Sequence, residues 1–285
     1  MPIIKYKNKL HIYYKINIYC KRIYYIVKLG RIDLTDWTKL SFSPTLWYIY
    51  LEVKAMNKKT EVFSKIKGGL IVSCQALDNE PLYSSYIMSR MAYAAQLGGA
   101  CGIRANSPED ITKIKETVDL PVIGLYKKNY NDSEVYITPT EECVDALMES
   151  KPDIIAIDAT DRLRPFGITL DEFFKKIRSK YPDMIFMGDC SCLEDGIHAE
   201  KLGFDLVGTT LCGYTNDTQD TELPNISLMK QLTSTLKIPV IAEGGIWSPE
   251  ELKAAIDSGV HAAVVGTAIT RPMEITKRFV NAIKV

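Results

Sequence analysis

The chain has 285 residues, 46% hydrophobic and 25% charged, a balance that excludes an intrinsically disordered or low-complexity protein and leaves room for one large core or two small ones. Thirty-five basic and 35 acidic side chains cancel at neutral pH, which argues against non-specific attraction to nucleic acid or to an anionic membrane. No run reaches the roughly 18 apolar residues of a membrane span. The basic N-terminus lacks the unbroken apolar core and small-residue cleavage site of a secretory leader, so a cytoplasmic protein is expected.

Residues 1–55 differ in texture from the rest. They hold ten Lys or Arg against three Asp or Glu, are crowded with Tyr, Ile and Lys (Tyr13-Tyr14-Lys15-Ile16, Tyr24-Tyr25-Ile26-Val27), and contain one glycine, Gly30. Three readings stand for this extension: a stretch outside the working enzyme with Met56 as the natural start, a disordered basic arm, or a small adhesive accessory region. No function is assigned to it. Residues 56–285 are expected to form the working domain.

From Lys67 onward, short apolar runs alternate with amphipathic segments. Strands are predicted over 70–74, 101–104, 121–125, 154–158, 184–189, 206–209, 238–242 and 263–266. Their hydrophobicity is continuous rather than alternating, as in a parallel sheet covered by helices. Helices are predicted over 83–97, 107–117, 140–150, 170–179, 193–202, 226–235, 249–258 and 272–283. Ser107-Pro108-Glu109-Asp110 and Ser248-Pro249-Glu250-Glu251 each supply a cap, a first-turn proline and acids at the positive helix end. Gly98, Gly203 and Gly259 follow helical segments, where a left-handed residue is expected. Eight strand–helix pairs fit an α/β protein built as one (β/α)₈ barrel of TIM type, because closure removes edge strands. No Gly-x-Gly-x-x-Gly follows the first strand, which weakens a dinucleotide reading.

A barrel of this type carries its active site at the carboxyl ends of its strands. That edge is predicted to present Gln75, Arg104, Lys127, Asp158, Asp189, Thr209-Thr210, Glu243 with Gly244-Gly245, and Gly266-Thr267 followed by Arg271. Lys127 is closer to its strand than Lys128, and partial burial beside cations would lower its pKa enough for it to act as a base. Glu243 could orient that amine, hold a substrate hydroxyl, or form a buried ion pair with it. Asp158 and Asp189 end apolar runs, where a carboxylate needs hydrogen bonds that sugar hydroxyls would supply. Arg104 could bind a substrate oxygen or depress the pKa of Lys127, and Gln75 offers a neutral donor and acceptor. Gly244-Gly245 and Gly266-Thr267 suit a phosphate cradle of backbone N–H groups, with Arg271 closing over the anion. Thr209-Thr210 reads as buried packing with satisfied hydroxyls rather than substrate contact, and His198 and His261 as lying away from this edge.

Metal and redox chemistry find little support. Cys190-Ser191-Cys192 is too tight for the usual zinc pair, no histidine ends a strand, and two aspartates with one glutamate do not specify an ion. The seven cysteines, Cys20, Cys74, Cys101, Cys143, Cys190, Cys192 and Cys212, form an odd, scattered set that fits reduced thiols better than a disulfide framework.

Residues 56–285 resemble the N-acetylmannosamine-6-phosphate 2-epimerase family. The resemblance runs through Ile71-Val72-Ser73-Cys74-Gln75-Ala76, Gly102-Ile103-Arg104-Ala105-Asn106, Ile123-Gly124-Leu125-Tyr126-Lys127-Lys128, Val135-Tyr136-Ile137-Thr138-Pro139-Thr140, Asp158-Ala159-Thr160 with Arg164-Pro165, Gly213-Tyr214-Thr215, Ile241-Ala242-Glu243-Gly244 and Val265-Gly266-Thr267-Ala268-Ile269-Thr270-Arg271-Pro272. It implies interconversion of N-acetylmannosamine 6-phosphate and N-acetylglucosamine 6-phosphate in sialic acid breakdown, without metal or organic cofactor, by a homodimer. It places the catalytic lysine at Lys127, its acidic partner at Glu243, the sugar site at Gln75, Arg104 and Asp189, and Arg271 near the phosphate. Gly188, Cys192, Tyr126 and Gly245 depart from the expected pattern. A lysine-dependent phosphosugar aldolase and a noncatalytic phosphosugar-binding regulator are the rival readings; a trapped Schiff base would mark the first, and binding without turnover the second.

Overall fold

Eight short parallel strands pair in chain order and close on themselves, β1 with β8 through Leu70–Ala263, Ile71–Val264 and Val72–Val265. The structure, a computed structural model, describes residues 58–284, so the readings made for residues 1–55 lie outside the described residues. In order, the chain runs α1 (residues 58–66), β1 (Leu70–Cys74), α2 (Ser85–Leu97), β2 (Gly102–Asn106), α3 (Pro108–Lys115), β3 (Val122–Leu125), α4 (Glu141–Ser150), β4 (Ile154–Asp158), α5 (Leu170–Lys180) and β5 (Ile185–Asp189). It continues with α6 (Leu193–Leu202), β6 (Leu206–Gly208), α7 (Ile226–Thr235), β7 (Val240–Glu243), α8 (Pro249–Asp257), β8 (Ala262–Val265), α9 (Thr267–Thr270) and α10 (Pro272–Ala282). The expected (β/α)₈ barrel is the fold; the sequence reading lacked α1 and the one-turn helix α9.

Buried side chains divide into two layers by the two-residue period of each strand. Ile71, Ile123, Leu125, Ile154, Ala156, Ile185, Met187, Leu206, Ile241, Ala262 and Val264 fill the barrel interior. Their neighbours Val72, Cys74, Ile103, Ala105, Val122, Ile155, Ile157, Phe186, Val207, Val240, Ala242, Ala263 and Val265 face the helices. Both faces being apolar explains the continuous hydrophobic runs. Counting in twos from the interior set gives Gln75, Lys127, Asp158, Asp189, Thr210, Glu243 and Gly266, and on β2 Arg104 lies between the helix-facing Ile103 and Ala105, so the rim shares the phase of the barrel's own core.

Local signals work as expected at most helix ends. Ser248 and Thr169 close reciprocal capping boxes with Glu251 and Glu172, and the Ser107 hydroxyl accepts the Asp110 N–H. Gly203 and Gly259 have φ of 97° and 93°. Gly98 is a correction: it stays right-handed at φ −76°, its N–H bonding Ala94 O, and the left-handed position falls on Gly99 at φ 93°. The strand boundaries also shift. β2 extends to Asn106, so Arg104 lies inside the strand instead of at its end, one layer deeper than the sequence reading placed it.

Candidate active site at the carboxyl edge of the barrel

Lys127 stands two residues beyond Leu125, which keeps its side chain on the interior face while the chain leaves the sheet. Its backbone is fixed from two sides. The Lys127 N–H donates to Asn106 Oδ1 at 2.7 Å, and Lys127 pairs antiparallel with Ile137 in an arm that folds back and meets the end of β4, where Asp158 N–H donates to Ile137 O at 3.1 Å. Lys128 N–H extends this pairing to Tyr136 O at 3.0 Å, while its own side chain is exposed with Nζ 5.7 Å from the Tyr130 ring centroid. The two lysines are thus separated by environment.

Burial, followed by the positive charges of Arg104 and Arg271, lowers the Lys127 pKa to about 8, against smaller opposing effects of Glu243 and Glu80. Among the described residues no carboxylate closes an ion pair with its amine. A base must be uncharged to take a proton from carbon, and a pKa near 8 leaves about a tenth of the amine free one unit below it. Turnover under kcat/KM conditions is therefore expected to rise about tenfold per pH unit below about 8 and to level off above it. A profile measured from pH 6 to 9.5 that stayed flat would remove Lys127 from the role of base.

Beneath the amine lies a charged cluster. Arg104, 1% exposed, places Nη2 2.5 Å from Asp189 Oδ2, Nη1 3.2 Å from Asp189 Oδ1, and Nη1 3.2 Å from Glu243 Oε2. The Thr210 hydroxyl donates to Asp189 Oδ1 at 2.7 Å and stands 3.2 Å from Glu243 Oε2. Thr209 exchanges hydrogen bonds with the Glu243 backbone, its hydroxyl donating to the carbonyl and accepting the N–H. The hydroxyls of both threonines are thus satisfied within the chain, as the sequence reading expected, with Thr210 bonded to the site carboxylates. Burial, with a smaller push from Asp189, raises the Glu243 carboxyl well above the usual carboxylate range, and Arg104 and Thr210 oppose it. Burial works against the charge of Arg104 too, but Asp189 and Glu243 outweigh it. The ion pair that Glu243 makes is with Arg104, not with Lys127. Arg104 lies beneath the mouth with both Nη atoms on carboxylates, and its charge lowers the Lys127 pKa.

Asp158 is fully buried and its oxygens are occupied from within the chain. Oδ1 accepts the Thr160 N–H at 3.0 Å and the Thr160 hydroxyl at 2.7 Å, and Oδ2 pairs with Arg162 Nη2 at 2.7 Å. The hydrogen bonds that sugar hydroxyls were expected to supply are thus made by the turn after β4. Arg162, 18% exposed, is the more outward partner and was missed by the sequence reading. Arg164, also missed, is 1% exposed, lies 4.1 Å from the Phe173 ring centroid, and donates to the carbonyls of Thr138, Pro139 and Asp158, stapling the Lys127 arm to β4. Tyr136, half-buried on that arm, has its phenol pushed up to about 12 by burial and by Asp158 and Asp189, so it stays protonated.

The expected phosphate side combines β1, β7 and β8. Gln75 Nε2 donates to Ser73 Oγ at 2.8 Å, whereas its buried Oε1 has no hydrogen-bond partner among the described residues. Gly244 and Gly245 have φ of 109° and 71°, which favour glycine. At Gly245 a second constraint acts: a Cβ would fall 2.3 Å from Leu223 Cβ, so the close pass of the β6–α7 loop requires the missing side chain. Gly266 precedes α9, and a Cβ there would meet Ser73 Cβ at 3.1 Å; Thr267 opens that helix and Arg271 follows it. Arg271 is ion-paired with Glu80, a residue the sequence reading did not single out. His198 pairs with Asp171 at 2.9 Å and His261 Nε2 is 2.9 Å from Phe63 O, both away from this edge. Among the described residues no group of three or more His, Cys, Asp or Glu has a geometry that could hold a metal ion.

Comparison with known proteins converges on one family. The sequence profile described as "Putative N-acetylmannosamine-6-phosphate epimerase" (NanE) matches residues 88–285. A protein of Caldanaerobacter subterraneus subsp. tengcongensis is 54% identical over 224 residues, covering 79% of this chain and 94% of that protein. One of Borreliella afzelii is 53% identical over 225 residues, covering 78% and 97%. Both carry the name "Putative N-acetylmannosamine-6-phosphate 2-epimerase". The solved structure of the N-acetylmannosamine-6-phosphate 2-epimerase from Clostridium perfringens superposes with a TM-score of 0.74 at 52% identity, over 78% of this chain and 96% of that one. With a half-buried lysine held over an Arg–Asp–Glu cluster at the mouth of the same barrel, the chain belongs to the N-acetylmannosamine-6-phosphate epimerase family of carbohydrate isomerases.

Proposed function

We propose that this protein interconverts N-acetylmannosamine 6-phosphate and N-acetylglucosamine 6-phosphate by moving a proton at C2 of the open-chain sugar. The observation that carries the reading is the Lys127 amine, held at the mouth with its pKa lowered to about 8. The neutral amine takes the proton from C2, and the C–H electrons pass into the C1 carbonyl to give a planar enolate. The ammonium then returns a proton to the opposite face once the planar intermediate has turned, so the net change is inversion at one carbon. Glu243 steers the amine or a substrate hydroxyl, Asp189 and Gln75 border the sugar, and Asp158 supports Arg162 there. Backbone at Gly244, Gly245, Gly266 and Thr267, together with Arg271, holds the phosphate and so places C2 beside the amine.

Work in the cytoplasm, in sialic acid breakdown and without metal or organic cofactor belongs to the same proposal. The six cysteines among the described residues are all free thiols, which suits a reducing compartment. No helix among the described residues is long and apolar enough to cross a membrane. Incubation with N-acetylmannosamine 6-phosphate in heavy water, followed by proton NMR, is expected to give the N-acetylglucosamine epimer carrying deuterium at C2. Product without the label would overturn proton exchange, and no product would overturn the substrate.

A homodimer completes the proposal, and α10 supports it. None of its residues is buried, while Met273, Phe279 and Val280, with Ile283 just past its end, leave an apolar stripe open, Phe279 being 73% exposed. A second copy of the chain is the proposed cover. Sedimentation is expected to show a dimer that Phe279→Asp converts to monomer; a monomeric native protein would refute this assembly.

A further inference from the structure

Arg271 is already occupied by an anion of the chain itself. That anion, Glu80, belongs to the turn after β1, where its N–H donates to Leu77 O at 2.8 Å and its carbonyl accepts Tyr83 N–H at 3.0 Å. Its carboxylate is split between two tasks: Oε2 accepts the Leu77 N–H at 3.2 Å and Oε1 pairs with Arg271 Nη2. The pair is partly shielded, with side chains 16% and 31% exposed, and borders a cavity of about 170 Å³ lined by Gln75, Glu80, Leu82, Thr270, Arg271 and Met273. Both charges act on Lys127, Arg271 lowering and Glu80 raising its affinity for protons, so the pair lies within electrostatic reach of that amine.

A carboxylate and a phosphate monoester compete for the same guanidinium donors. If the substrate phosphate reached Arg271 while Glu80 stayed in place, two anions would share one cation at short range, which is unfavourable in a partly shielded site. We propose that Glu80 is a placeholder for the substrate phosphate: it occupies Arg271 in the free enzyme and yields it when the phosphate arrives, so that the β1–α2 turn is held by one anion and released by the other. This rests on the reading of Arg271 as a phosphate contact. The turn is suited to exchange because it is short and closed mainly on itself, and two of its side chains, Leu77 and Tyr83, lie exposed and hold little of the core. Phosphate affinity is then reduced by the fraction of molecules in which Glu80 holds Arg271.

Glu80→Gln tests this: its one amide oxygen can still accept the Leu77 N–H and keep the turn closed, while the amide NH2 in place of Oε1 cannot accept from Arg271 and the negative charge is gone. Inorganic phosphate is titrated into the full chain and its binding is followed by phosphorus NMR in four proteins: native, Glu80→Gln, Arg271→Ala and the double variant. Glu80→Gln is expected to bind phosphate about fivefold more tightly than the native protein, Arg271→Ala more weakly, and the gain is expected to vanish in the double variant. Equal or weaker binding by Glu80→Gln would make Glu80 a strut for Arg271 and overturn the exchange. A gain that persists without Arg271 would be a general charge effect and would overturn it too. If Arg271→Ala binds phosphate as the native protein does, the phosphate reading of Arg271 fails first and the exchange with it.

Discussion

Replacing Lys127 by alanine is expected to lower kcat by about 10⁴-fold, the upper end of what one acid–base group contributes, because the same amine is assigned both removal and return of the proton. The fold should survive. The amine makes no ion pair among the described residues, and what fixes residue 127 is its backbone, through Asn106 Oδ1 and Ile137. Removing a partly buried ammonium also removes the cost of keeping it from water, so the change in stability should stay within about 1 kcal/mol. Chemical denaturation and the rate of deuterium entry at C2 check the two halves independently. A Lys127→Ala protein that is folded and still exchanges the C2 proton at the native rate would end the lysine mechanism.

Arg104→Met should do the opposite, lowering stability by about 3–5 kcal/mol through loss of the cation between the buried Asp189 and the partly buried Glu243. Asp189 is fully buried, so water cannot take over the hydrogen bonds that the guanidinium makes to it, and Glu243, 14% exposed, is only partly open to water. Adding Asp189→Asn should recover a good part of the loss, because it removes one of the two charges left without a partner. Arg104 is also the largest charge effect lowering the Lys127 pKa, so in any Arg104→Met protein that folds, the rising limb of the pH profile should move above about 8. Urea titration and a pH–rate profile measure the two effects. A stability loss under about 1 kcal/mol, or an unmoved limb, would refute the assigned coupling.

The barrel and its rim were legible because both are written in local patterns. Strands with two apolar faces give unbroken runs, and helix starts such as Ser248-Pro249-Glu250-Glu251 carry their own caps. What escaped was set by contacts distant in sequence. Ending β2 two residues early put Arg104 at the rim, whereas the paired strand carries it below. Asn106 and Thr210 are ordinary polar residues until the closed sheet brings them beside Lys127 and Asp189. The arm from Lys127 to Ile137 has too few alternating residues to announce a hairpin. Gly245 looked like an anion contact, and nothing near it foretells the approach of Leu223. Glu80 was unremarked because its partner lies at the other end of the chain.

The shared phase of the interior and the rim has a consequence for how such a site can change. Deleting or inserting a single residue within β3 would turn the 127 position outward into the layer beneath the helices, and no repacking of the mouth could bring that nitrogen back. A change in length at 129–134, beyond the pairing of Lys127 with Ile137, would leave the reactive position where it is. New turns grafted at that tip should therefore leave the proton chemistry intact.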